Sequence, residues 1–156
     1  MAFQSSPDDN WFEWLARQAR SAGAVVTIPA MPAPDYPQAA VWQQTLDQII
    51  GQPEAQTILV GHSLGVITLL RFLSRHQPAK LGGLILAAGF ASRLPTLHIL
   101  DEYIDASQPD SVHYSTSACR CTVLFPPTIP MCQKPPANPL QHHCTATSIM
   151  YPMVAT

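Results

Sequence analysis

Gly61-His62-Ser63-Leu64-Gly65 is the stretch of this chain whose residue types and spacing fit covalent chemistry. It follows the apolar run Thr57-Ile58-Leu59-Val60 and precedes a segment apolar at Val66, Ile67, Leu69, Leu70, Phe72 and Leu73, so it joins a strand directly to a helix. In that context a serine in the tight turn is held in strained backbone geometry, with its Oγ projecting above the sheet. Gly61 and Gly65, two before and two after the serine, let strand and helix approach without Cβ clashes. The N–H of Leu64, at the helix start, can donate to an oxyanion and adds the positive end of the helix dipole. The pentapeptide alone arises by chance fairly often; the strand before it and the amphipathic helix after it make it specific. His62 reads as a packing or structural group rather than a base, because the turn aims it away from its neighbour.

The elements that must position this turn follow from periodicity and punctuation. Asn10 with Glu13 is a capping-box pattern, Trp11, Phe12, Trp14, Leu15, Ala19 and Ala22 give an apolar face, and Gly23 supplies a stop, so residues 11–22 are predicted helical. Val25-Val26-Thr27-Ile28-Pro29 is a β-branched run and predicts a strand, followed by a Pro-rich loop over 29–37. Residues 38–50 predict a second helix ending at Gly51, 57–60 a strand, 64–76 a helix, and 84–88 a third strand closed by Gly89. Strands alternating with helices imply βαβ units and a parallel sheet, here continuously apolar and so covered on both faces. Chemistry in such sheets sits beyond the carboxyl ends of the strands, where Gly61–Gly65 falls.

Composition bounds the rest. One domain is the natural reading of 156 residues, and a net charge of −2 offers no field for nucleic acid or anionic lipid. No run is long enough to span a membrane, and the N-terminus lacks the basic and apolar regions of a signal peptide, so a cytoplasmic protein is expected. The chain changes character near residue 110. All ten acidic residues and all seven glycines precede that point, whereas 111–156 holds all four cysteines and is rich in proline.

The motifs also occur in a telling order: Asn10-Trp11-Phe12-Glu13-Trp14-Leu15, then Met31-Pro32-Ala33-Pro34 with Trp42, then Gly61–Gly65 with Leu70-Arg71-Phe72-Leu73, then Gly89-Phe90-Ala91 and Leu94-Pro95-Thr96-Leu97. Over about residues 1–110 this resembles the YdeN-like (retinoblastoma-binding protein 9) family of small serine hydrolases. The resemblance implies an α/β-hydrolase-like parallel sheet flanked by helices, a Ser-Asp-His triad with Ser63 as nucleophile, and esterase-like activity on a small ester or acyl substrate. It implies no cofactor or metal, no nucleic-acid or membrane partner, and identifies no protein partner.

This sequence departs from the family at two places. The family opens with a strand running into a His-Gly oxyanion turn, where this chain has Met1-Ala2-Phe3; Phe3 or Gln4 is then the candidate for the second oxyanion donor, with Phe3 preferred. The sheet is therefore expected to be truncated at the first strand and after residue 110. The family also carries its acid in an Asp-Asp-Pro-like turn and its base in a late Gly-His turn, and neither is present, so this chain has neither triad acid nor triad base. Asp101 and Glu102 are expected to be solvated, and His142 and His143 lie in the tail. Without a base, serine is a poor nucleophile at neutral pH, which makes the chain a weak or inactive hydrolase, or a non-catalytic pseudo-hydrolase that binds.

Cys119, Cys121, Cys132 and His142-His143-Cys144 do not have zinc-knuckle spacing, and the Pro/Cys-rich tail 111–156 is expected to be disordered. Its composition fits the family's own C-terminal region read in a shifted frame. Reading the last base of one codon with the first two of the next, residues 127–133 can spell Asp-Asp-Pro-x-Val-Pro, and Met131 with Cys132 must give its valine. Residues 153–156 can likewise spell Gly-Gly-His, and Met153 with Val154 must give the first glycine.

Overall fold

The computed structural model describes residues 3–9 and 11–109, together with the backbone of a strand at 120–124. Its elements run α1 (Phe12–Ser21), α2 (Ala39–Ile50), β1 (Ile58–His62), α3 (Leu64–His76), β2 (Gly83–Ala87), a 3-10 turn (His98–Leu100), α4 (Asp101–Ala106) and β3 (Arg120–Leu124). β1, β2 and β3 form a parallel sheet in that order, with Ile58 opposite Gly83 and Gly83 opposite Arg120. The predicted βαβ unit is the one around α3, which carries the chain from β1 to its parallel neighbour β2.

The core is built on α3. Leu64, Ile67, Leu69, Phe72 and Leu73 are fully buried, and they pack with Trp42 and Leu46 of α2, Leu59 of β1, Leu84 and Leu86 of β2, and Leu100, Tyr103 and Ile104. A helix buried around most of its circumference is what a sheet on one side and α2 and α4 on the other produce. The indole N–H of Trp42 donates to the carbonyl of Pro32 at 2.7 Å, which ties the Pro-rich loop to this core. Gly23, at φ 89°, and Gly51, at φ 62°, end α1 and α2 in backbone that a side chain would strain, as their positions predicted.

Three expectations need correction. The segment 25–29 belongs to no ladder, and Val25 is 100% exposed. A β-branched run becomes a strand only where a neighbouring strand takes its backbone groups; here the Val26 carbonyl accepts instead from the Arg20 guanidinium at 3.3 Å. α1 starts at Phe12 with Trp11 as an N-cap that makes no side-chain cap bond. Asn10, the expected cap, lies outside the described residues. The face of α1 is also narrower than its sequence suggests, since Phe12 and Ala16 are buried and Trp14 is exposed. Finally, the sheet continues past residue 110, because Arg120–Leu124 adds β3 to the edge of β2. The rest of the tail, with Cys132, Cys144, His142 and His143, lies outside the described residues.

Candidate active site

Ser63 joins β1 to α3 with φ 53° and ψ −121°, a left-handed backbone that a non-glycine residue adopts only under constraint. The constraint is visible on both sides. Its N–H donates to the carbonyl of Ala87 at the end of β2, and its carbonyl accepts from the N–H of Val66, each at 3.0 Å. A Cβ added at Gly61 would sit 3.1 Å from the carbonyl oxygen of Gly65 and 3.2 Å from Leu69 Cδ1. Strand and helix thus approach about as closely as a glycine at position 61 allows. Leu64 opens α3, so no carbonyl of its own helix is available to its N–H. That leaves a dipole-assisted donor beside the Ser63 hydroxyl.

A second turn reinforces the first. Ala88, just after β2, has φ 47°, and a Cβ at Gly89 would fall 2.4–2.5 Å from the side-chain carbons of Val66. The loop leaving β2 therefore lies directly on the first turn of α3. The sequence shows Gly89 only as a strand terminator; its contact with Val66 is tertiary.

His62 packs as expected. Its ring is edge-on to Trp11 and to Phe12, with centroids 5.6 Å from each, and its Nδ1 is buried without a hydrogen-bond partner. Burial among these rings lowers its pKa and holds it neutral. The imidazole next to Ser63 in sequence is thus committed to α1.

The remaining candidates are placed as follows. Phe3 is half-buried and packs on the core, whereas the Gln4 N–H is engaged by the carbonyl of Pro34 at 3.1 Å, which leaves Phe3 as the N-terminal oxyanion candidate. Glu102 is exposed on α4. Asp101 is not simply solvated: its Oδ2 meets His98 Nδ1 at 3.3 Å, and its Oδ1 is buried without a partner. No histidine or carboxylate among the described residues hydrogen-bonds the Ser63 hydroxyl. A cleft of about 330 Å³ between the N-terminal loop and the Pro-rich loop is lined by Gln4, Ser6, Asp9, Met31 and Asp35 among others, and Ser63 is not part of it. No group of three His, Cys, Asp or Glu that could hold a metal occurs among the described residues, and no helix among them is long and apolar enough to cross a membrane.

One contributor to the site was not legible in the sequence. The Thr68 hydroxyl donates to the carbonyl of Leu64 at 2.8 Å and lies 2.7 Å from the Tyr103 hydroxyl. With its proton given to Leu64, Thr68 accepts from Tyr103, and burial raises the tyrosine pKa and keeps that proton in place. Gln43 Nε2 donates to the Thr68 carbonyl at 2.9 Å. α2 and α4 thus grip the turn of α3 that follows Ser63.

A parallel sheet packed against helices and a strained serine between strand and helix define an α/β-hydrolase-like protein. The model of the serine hydrolase family matches residues 2–119, and the chain belongs to that family, on its YdeN-like branch. It is 41% identical to YdeN of Bacillus subtilis (strain 168) over 106 residues, which is 67% of this chain and 56% of the relative. The crystal structure of the B. subtilis ydeN gene product superposes with a TM-score of 0.76 at 30% identity, over 96% of this chain and 81% of that one. The chain thus spans little more than half the length of the curated relative it matches.

Proposed function

We propose that Ser63 is the nucleophile of an esterase-like serine hydrolase acting on small acyl esters, and that this chain turns over weakly or not at all. The observation that carries the reading is the left-handed backbone of Ser63 at the β1–α3 junction, in a chain of the serine hydrolase family. In the reaction, Ser63 Oγ attacks the ester carbonyl, the oxyanion is received by the Leu64 N–H, and the alcohol departs to leave an acyl-serine. Water then attacks the acyl-serine to release the acid and restore the Ser63 hydroxyl. A base must take the Ser63 proton and later protonate the leaving oxygen. His62 is turned toward Trp11 and Phe12, and no other group among the described residues reaches the hydroxyl. Loss of triad members typically lowers turnover by roughly 10⁴–10⁶-fold and leaves a residue of catalysis from the oxyanion donors.

That missing base also favours a second reading, a non-catalytic relative that binds a small acyl compound through the retained fold. A fluorophosphonate probe separates the two. Slow labelling of the full chain that disappears in Ser63→Ala supports the hydrolase, and absence of labelling alongside binding of an ester supports the second. Labelling that persists in Ser63→Ala removes Ser63 from the chemistry.

A further inference from the structure

The loop that leaves β2 beside Ser63 is held from its far side by α4. Ala87 accepts the Ser63 N–H, Ala88 has φ 47°, and Gly89 lies on Val66 in the first turn of α3. Beyond Gly89 the chain turns outward, and Ala91, Ser92 and Arg93 are exposed. Two of these exposed residues are nevertheless tethered. Gln108 Nε2 donates to the Ala91 carbonyl at 3.0 Å and to the Ile104 carbonyl, in the last turn of α4, at 3.1 Å. Arg93 forms a two-pronged ion pair with Asp105 of α4, its Nε 3.1 Å from Oδ1. α4 is in turn fixed to α3 by Tyr103 on Thr68 and by Arg71, whose guanidinium donates to the Gln108 carbonyl at 3.1 Å.

Gln108 therefore joins α3, α4 and the loop beside Ser63. Its carboxamide fits in one orientation, because the opposite one sets Oε1 against two carbonyl oxygens. Both prongs of the Arg93–Asp105 pair are half exposed or more, so water and salt weaken it. A residue at positive φ such as Ala88 keeps that backbone only while its surroundings over-determine it. We propose that Gln108 is a positioning residue for Ser63. By tying Ala91 to α4 and α3 it keeps Gly89 seated on Val66 and the Ala87 carbonyl against the Ser63 N–H, without touching the serine itself. The effect on acylation rests on the reading of Ser63 as nucleophile; the effect on the Ser63 turn does not.

Gln108→Met keeps the length of the side chain and removes both donors. Amide hydrogen exchange of the full chain, followed by NMR, reads the turn at the Ser63 N–H and the body of α3 at Phe72 and Leu73. In Gln108→Met the Ser63 amide is expected to exchange about three- to tenfold faster, the worth of one hydrogen bond, with Phe72 and Leu73 unchanged. Gln108→Lys, whose ammonium can donate to the same two carbonyls, is expected to restore the wild-type rate. Fluorophosphonate labelling of Ser63 is expected to slow and recover in step. If Gln108→Met does not fold, Gln108→Glu removes the same donors at the same size. An unchanged Ser63 amide, a rise shared equally by Phe72 and Leu73, or no recovery in Gln108→Lys would overturn the proposal. A wild type that takes no label counts against the nucleophile reading alone, because the exchange rates still decide on Gln108.

Discussion

The N–H of Ser63 donates to the carbonyl of Ala87 at 3.0 Å, so the last rung between β1 and β2 is formed by the residue assigned the chemistry. Ser63 at φ 53° and Ala88 at φ 47° thus stand side by side at the ends of adjacent strands, both in backbone that disfavours a side chain. Each such residue costs on the order of 1–2 kcal/mol, which the packing around it must offset.

Gly89 is where that packing is tightest. An alanine Cβ there would meet Val66 at 2.4–2.5 Å, at carbons close to the helix backbone that have little freedom to move. Overpacking of this kind costs about 1–3 kcal/mol. Gly89→Ala is expected to lower the melting temperature by about 2–4 °C per kcal/mol lost, the scale for a domain of this size. Scanning calorimetry checks it, and an unchanged midpoint would show that the loop lifts freely from α3.

His62 should make stability depend on pH. Its folded pKa is depressed by burial, so the unfolded chain binds its proton first as pH falls. The stability tied to neutral His62 is complete above its unfolded value of about 6.5 and is lost as pH drops through the lower folded value. His62→Phe keeps a ring against Trp11 and Phe12 and removes the unpartnered Nδ1. It is expected to hold or raise the melting temperature at pH 7 and to flatten its fall below about pH 6.5. The same slope in wild type and variant would assign the titration elsewhere.

The buried Tyr103 hydroxyl, unlike His62 Nδ1, has a defined partner in Thr68. Tyr103→Phe removes a hydrogen bond to Thr68 and is expected to cost about 1–2 kcal/mol, read by urea denaturation. In a double-mutant cycle with Thr68→Val the two losses should be strongly non-additive. Simple additivity would mean that the hydroxyls act independently.

The sequence made α2, α3, β1 and β2 readable because their periodicity and their glycines are local signals. Ser63 was readable because its flanking strand and helix are adjacent in the chain. What escaped depends on distant partners. Val25–Pro29 has the composition of a strand but no ladder; Asp101 looked solvated until the 3-10 turn and α4 half-enclosed it. The grips of Val66 by Gly89 and of Thr68 by Tyr103 join residues far apart in sequence. β3 arises in a tail whose composition disguised it, and pairs only because β2 offers an edge.

The nucleotide sequence tests the shifted-frame reading of the tail. The family match ends at residue 119, shortly before the stretch 127–133 that can spell the acid turn. Codons that spell Asp-Asp-Pro-x-Val-Pro there and Gly-Gly-His at 153–156 are expected. Codons that cannot would confine the account to a relative that lacks the two groups outright.

The central claim is that Ser63 is a competent nucleophile deprived of its acid and base. Initial rates of p-nitrophenyl acetate hydrolysis, for this chain and for one with the shifted frame restored, test it directly. The restored chain is expected to turn over in a Ser63-dependent manner, and the present chain roughly 10⁴-fold or more slowly. Equal rates, or a restored chain whose activity survives Ser63→Ala, would contradict it.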